Sequence, residues 1–187
     1  MISVVIPCRE HENAYTTLYS LAGQTLQPSQ IIVVPDEGRG SNWARNRGFE
    51  LVTTPLVLFS DNDIVWEYNA LDILYRVLQV ERYASYAYGS YYLDGKLIGD
   101  QEFNADLLRQ RSYISTMSLC WVEDFPGFDE SLERLQDWDL YLTYLENGCS
   151  GAYCGTHCFS TVKRKGISFG GQDWNTSVDI IKRKHKL

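Results

Sequence analysis

Two carboxylates one residue apart, Asp61 and Asp63, follow the apolar run Leu56-Val57-Leu58-Phe59. At the end of a strand such a pair can reach one divalent cation, and hard carboxylate oxygens suit magnesium or manganese. A turn with Asp63 as helix cap would explain Asp63 but not the pair. Two other apolar runs end in a similar way. Ile2-Ser3-Val4-Val5-Ile6 leads into Pro7-Cys8-Arg9-Glu10, and Ile31-Ile32-Val33-Val34 leads into Pro35-Asp36-Glu37-Gly38. Carboxylates gathered at three strand ends are costly unless a cation or the donors of a ligand meet them. Arg39, Arg45 and Arg47 lie between the second and third runs. An arginine facing the same edge could hold a diphosphate in its planar fork; the competing reading is a solvated helix face.

The elements that would position these groups follow from hydrophobic spacing. Residues 2–6, 31–34 and 56–59 read as strands buried on both faces. Helical spacing fits 12–24, a segment opened by Ser41 and carrying Ala44, Phe49 and Val52, and a stretch from about 68 to 81 around Leu71, Leu74 and Leu78. This alternation predicts a parallel sheet with right-handed crossovers, whose ligand lies outside the carboxyl ends of the strands. Further on, 86–98 reads as a hairpin turning at Asp94-Gly95, and 114–122 as a strand. Trp138, Tyr141, Leu142 and Leu145 form a helical stripe that stops at Asn147-Gly148. A strand over 151–160 and a helix over 175–185 complete the pattern.

The chain has 187 residues, 44% hydrophobic and 13% aromatic, enough for one domain with a sizeable core. No apolar run reaches the roughly 18 residues of a membrane span. Its net charge of −7 is uneven. Residues 163–187 carry seven Lys/Arg against two acids, so the strongly acidic remainder excludes a duplex-DNA binder. The basic tail is open to a membrane surface or to a solvated helix end. Five cysteines, at 8, 120, 149, 154 and 158, without a leader-like start, predict reduced thiols in a soluble cytoplasmic protein. Cys149, Cys154, His157 and Cys158 lack the paired spacing of a zinc knuckle. The Gly-rich signatures of dinucleotide oxidoreductases and P-loop NTPases are absent, as is the Gly-x-Ser-x-Gly elbow of hydrolases.

Six segments in order carry a resemblance. They are Ile2-Ser3-Val4-Val5-Ile6-Pro7, Ser20-Leu21-Ala22-Gly23-Gln24-Thr25, Ala44-Arg45-Asn46-Arg47-Gly48, Leu58-Phe59-Ser60-Asp61-Asn62-Asp63, Pro126-Gly127-Phe128-Asp129-Glu130-Ser131-Leu132 and Gln136-Asp137-Trp138-Asp139-Leu140. Together they resemble glycosyltransferase family 2, the inverting sugar-nucleotide transferases of the GT-A fold. The resemblance spans about residues 1–168 and implies one α/β, Rossmann-like domain: a mostly parallel central sheet flanked by helices, with a small added β-hairpin. Residues 1–100 would form the nucleotide-sugar half, 101–168 the acceptor and catalytic half, and 169–187 a basic helix or tail.

The resemblance also implies an activity: transfer of a sugar from a nucleoside-diphosphate sugar, most simply a UDP-sugar, to a hydroxyl of a carbohydrate, lipid-linked or protein acceptor. Mn²⁺ or Mg²⁺ would assist. Pro7, Cys8, Arg9, Glu10 and Asp36 would hold the nucleotide base, with Arg45 beside base and phosphates. Asp61 would face the ribose and share the metal with Asp63, and Asn62 between them would also contact the nucleotide sugar. Arg164, in the basic loop Lys163-Arg164-Lys165-Gly166-Ile167-Ser168, would approach the diphosphate. Asp137 would be the general base, opening a helix, with Trp138 stacking on a sugar or shielding the site. The alternatives are a non-catalytic sugar-nucleotide-binding module, to which Gln136 in a usually acidic position points, and a pyrophosphorylase-like enzyme, which would want a Gly-rich loop after the first strand.

Overall fold

A computed structural model of the chain describes residues 1–9, 13–162 and 173–187. Strand β1 (Ile2–Cys8) is buried along its whole length. It pairs in parallel with β2 (Gln30–Pro35) on one side and β3 (Leu56–Phe59) on the other. Helix α1 (Tyr15–Ala22) and helix α2 (Ser41–Phe49) make the crossovers. Then come β4 (Val65–Trp66), α3 (Ala70–Val80), β5 (Ala84–Leu93), β6 (Lys96–Ile98), α4 (Ala105–Gln110), β7 (Leu119–Trp121), α5 (Gln136–Glu146), β8 (Ser150–Thr161) and α6 (Trp174–Lys184). The sheet runs β2-β1-β3-β7-β5-β8-β4, with β6 attached to β5.

The sheet is mixed. Its parallel parts are β2-β1-β3 and the β5/β8 pair, while β7 enters antiparallel to both β3 and β5. One sheet therefore joins the first half of the chain to the second. Alternation along β1 splits the core between two faces. Val4 and Ile6 pack with Leu71, Leu74 and Leu78 of α3. Val5 packs on the opposite face with Val57, Phe59 and Tyr86 and with Trp138 and Tyr141 of α5.

Three local expectations change. Strand β2 lies at the edge, so Ile31 and Val33 remain partly exposed rather than buried on both faces. Only 119–121 pair within the expected strand 114–122, because residues 112–118 run irregularly along a cleft. The N-cap of α2 is Gly40, at φ +93, and Ser41 is the first helical residue; its hydroxyl accepts from Arg45 instead of capping. The hairpin turns at Asp94-Gly95 with φ +50 and +75, the left-handed pair that a tight two-residue turn requires.

Candidate active site

The carboxyl ends of β1, β2 and β3 open into a cleft of about 850 Å³. Pro7, Cys8 and Arg9 line it from β1, Asp36 from the end of β2, Arg45 from α2, and Asp61, Asn62 and Asp63 from the end of β3. Asp137 reaches the same cleft from α5. Glu10 and Arg164, with the rest of the basic loop 163–168, lie outside the described residues.

Each wall is held by identifiable bonds. The backbone N–H of Asp36 donates to Cys8 O at 2.8 Å, and its Oδ1 accepts from the Gly38 N–H at 3.1 Å, which locks the turn after β2. Arg45 is 2% exposed. One of its terminal nitrogens donates to Asp61 Oδ1 at 2.6 Å, and the other reaches Ser41 and Asn42. Arg45 is thus no solvated helix arginine; it fixes the direction of Asp61. Arg134, just before α5, also lines the cleft. The Nε atoms of Arg45 and Arg134 are buried and lack a hydrogen-bond partner among the described residues, an arrangement suited to an anionic ligand.

The segment after β3 is clamped from α1 and the turn behind it. The Thr17 hydroxyl donates to Asp61 O at 2.9 Å and accepts from the Ile64 N–H at 3.0 Å. Gln24 donates to Glu67 O at 2.7 Å and accepts from Leu71 N–H at 3.1 Å. Thr17 and Gln24, the latter conspicuous in sequence only as part of a motif, are therefore the brace that sets the chain leaving Asp61 and Asp63. Asn46 does the same for the other wall: its amide donates to Phe128 O and Glu130 Oε1, and its Oδ1 accepts from Phe128 N–H.

Asp137 is the second residue of α5, whose N-cap is Leu135 in the left-handed conformation. Its carboxylate accepts from the Trp138 N–H at 2.8 Å and from the Ser112 hydroxyl at 3.1 Å. Burial raises its pKa, against the lowering pull of those two bonds and of Arg45. Tyr91, another cleft residue, is pushed up to about 12 by burial and by the Asp137 charge. Trp138 is not a sugar platform. It is buried, and its indole N–H donates to Leu108 O at 2.6 Å, which ties α5 to α4. Asp139 points to the opposite side, where it meets Lys184 Nζ at 2.7 Å and His185 Nε2 at 2.8 Å. Both belong to the basic end of the chain, so part of that tail is bound internally.

Ser112, Tyr91 and Arg134 escaped the sequence reading. The one signal was the run of hydroxyls at Ser112, Ser115 and Thr116 ahead of a short apolar stretch. Among the described residues, no three His, Cys, Asp or Glu side chains converge as a metal cage. A cation held by one or two carboxylates, with phosphates and water as remaining ligands, needs no such cage. Asp63 lines the cleft, and Asp61 is half-exposed beside it, with one oxygen on Arg45. This hard-oxygen donor set fits magnesium or manganese.

The α/β sheet, with a polar cleft at its strand ends, has the architecture of the GT-A fold. The glycosyl transferase family 2 profile matches residues 24–126, more than half of the chain, and the chain belongs to that family. Among solved structures it is similar to S. aureus TarS 1–349 in complex with UDP-GlcNAc, with a TM-score of 0.77 and 15% identity over 98% of this chain and 65% of that one. The complex of the same TarS fragment with UDP gives a TM-score of 0.69 and 12% identity, covering 90% and 62%. The chain thus spans less than two thirds of those TarS chains. No curated protein sequence matches it.

Proposed function

We propose that this protein is a metal-assisted, inverting glycosyltransferase that moves a sugar from a UDP-sugar to an acceptor hydroxyl. The observation that carries this reading is the convergence of Asp36, Arg45, Asp61 and Asp63 with Asp137 on a single cleft. The binding of UDP-GlcNAc by TarS, a structural neighbour, supports the choice of donor. Residues 1–100 would serve the nucleotide sugar, and 101–168 the acceptor and the chemistry.

In this reading the base and ribose lie against Pro7, Cys8, Asp36 and Asp61, and Arg45 keeps Asp61 in place. Arg45 and Arg134 bring positive charge to the diphosphate. Asp63, with Asp61, would hold the divalent cation, which when bound neutralises charge developing on the leaving diphosphate. Asp137 takes the proton of the acceptor hydroxyl as that oxygen attacks. Its oxygens already accept from Trp138 and Ser112, which fixes the carboxylate's direction and leaves lone pairs for the acceptor. One displacement, with base and leaving group on opposite faces of the sugar, inverts the anomeric carbon.

The test incubates the protein with UDP-sugars and manganese, with and without added pyrophosphate, and follows UDP and UTP separately. Release of UDP, lost with chelator, is the expected result. Formation of UTP only when pyrophosphate is added would indicate a pyrophosphorylase, and binding without formation of either nucleotide would indicate a non-catalytic module.

A further inference from the structure

Strand β8 departs from regular geometry between Cys154 and Cys158. Four residues of extended strand span about 13 Å, yet the two sulfur atoms stand 3.5 Å apart. A bulge brings them together: the register with β5 slips between Tyr88 and Ser90, and Gly155 adopts φ +75. On β5 the facing residue is Gly89. A Cβ there would lie 2.4 Å from Cys158 Sγ and 2.9 Å from Cys154 Sγ. The space that any other side chain would fill therefore houses the two sulfurs.

The thiols are not equivalent. Cys158 is buried and Cys154 only half-buried. The hydrogen bond between them lowers the pKa of Cys154, against burial, and together with burial raises that of Cys158. A half-buried sulfur with a lowered pKa, touching a buried sulfur with a raised one, has the division of labour of an attacking and a resolving cysteine. Neither residue lines the cleft of the glycosyl-transfer reading, so the pair stands apart from it.

We propose that Cys154 and Cys158 are a redox-active dithiol that hydrogen peroxide converts to an intrachain disulfide. The Cys154 thiolate attacks one peroxide oxygen, the O–O bond breaks, and hydroxide leaves, giving a sulfenic acid on Cys154. The Cys158 sulfur then displaces the sulfenic hydroxyl, which departs as water with the Cys158 proton. Two electrons and two protons pass from the dithiol to the peroxide, yielding one disulfide and two waters.

The experiment treats the full chain with dilute hydrogen peroxide, then unfolds and alkylates it for mass spectrometry. The expected fragment is lighter by two hydrogens, with a link placed between 154 and 158 that a thiol reductant reverses. In Cys158→Ser, Cys154 should accumulate as a sulfenic acid captured by dimedone. In Cys154→Ser, Cys158 should stay alkylatable. Full alkylation of both residues in the treated wild type, or a link through Cys149 instead, overturns the proposal. So does a Cys158→Ser protein whose Cys154 is no more dimedone-reactive than Cys149. The wild-type measurement decides the matter even where a variant folds poorly.

Discussion

Asp137 differs from a surface carboxylate in being desolvated yet still bonded by Trp138 and Ser112. Asp137→Asn preserves shape but removes the proton acceptor of the proposed mechanism. Turnover should fall by roughly 10²–10⁴-fold with UDP affinity unchanged, as read by comparing kcat with the UDP Kd. A base acts only when ionised, and burial raises this carboxyl above its ordinary 3.8. Turnover should therefore drop as pH falls through a value above the usual carboxylate range. Ser112→Ala, which removes a bond favouring the ionised form, should move that limb to higher pH. An unshifted profile would mean that Asp137 does not limit the acidic side. Asp63→Ala addresses the other wall. Calorimetry with UDP should show that manganese strengthens binding to wild type and adds nothing to the variant. Equal enhancement in both would remove Asp63 from the cation site.

Between elements, small polar groups and one glycine set the distances on which the cleft depends. Helix α2 packs on β1 so closely that a Cβ on Gly48 would come within 2.3 Å of Val5 Cγ1. Gly48→Ala should destabilise by about 1–3 kcal/mol through overpacking. Three residues earlier on that side of the helix, buried Arg45 fixes Asp61, and Asn46 holds the loop before α5 by three hydrogen bonds. Asn46→Ala strands the Phe128 backbone groups and should cost about 1–3 kcal/mol. Urea denaturation checks both variants: the midpoint should fall while the slope stays constant. A wild-type midpoint for Asn46→Ala would mean that water replaces the side chain at no cost.

Across the whole molecule, the C-terminal helix returns to the body through charge. Lys184 bridges Asp129 and Asp139, and His185 sits between Asp139 and Glu146. Burial opposes a charge on His185, but the carboxylates of Asp139 and Glu146 outweigh it and raise its pKa above the ordinary 6.5. A histidine raised on folding contributes stability that is complete below pH 6.5 and is lost as pH climbs through its higher folded value. Thermal unfolding should accordingly show a melting temperature that declines as pH rises above 6.5. His185→Gln should flatten that decline and lower stability at pH 6. Asp129 acts at the other end. Burial resists its charge, but Lys184 and Ser131 bring its pKa down to about 2, so its contribution disappears only as pH falls from the ordinary carboxylate range toward that value.

What the sequence alone determined was local. Continuous apolar runs marked β1 and β3, the spacing of Leu71, Leu74 and Leu78 marked α3, and Asp94-Gly95 marked its hairpin turn. Each depends on neighbours within a few residues, where steric preference and periodicity act directly. The strand-end groups Asp36, Asp61 and Asp63 were legible for the same reason: a parallel sheet brings the ends of its strands to one edge. Tertiary structure decided what depends on distant partners. A strand was legible over 114–122, but only pairing with both β3 and β5 limits it to the three residues of β7 and sets its direction. Arg45 reads as one of three arginines around a helix until burial singles it out to hold Asp61. The tail looked like spare positive charge until Lys184 and His185 met carboxylates more than 35 residues away. Cys154 and Cys158 read only as cysteines without zinc-knuckle spacing until a bulge, a left-handed glycine and the missing side chain of Gly89 brought their sulfurs into contact. Side-chain chemistry is written in the chain, but which groups meet is settled by non-local packing, because every such contact closes a loop whose entropy only the completed core can offset.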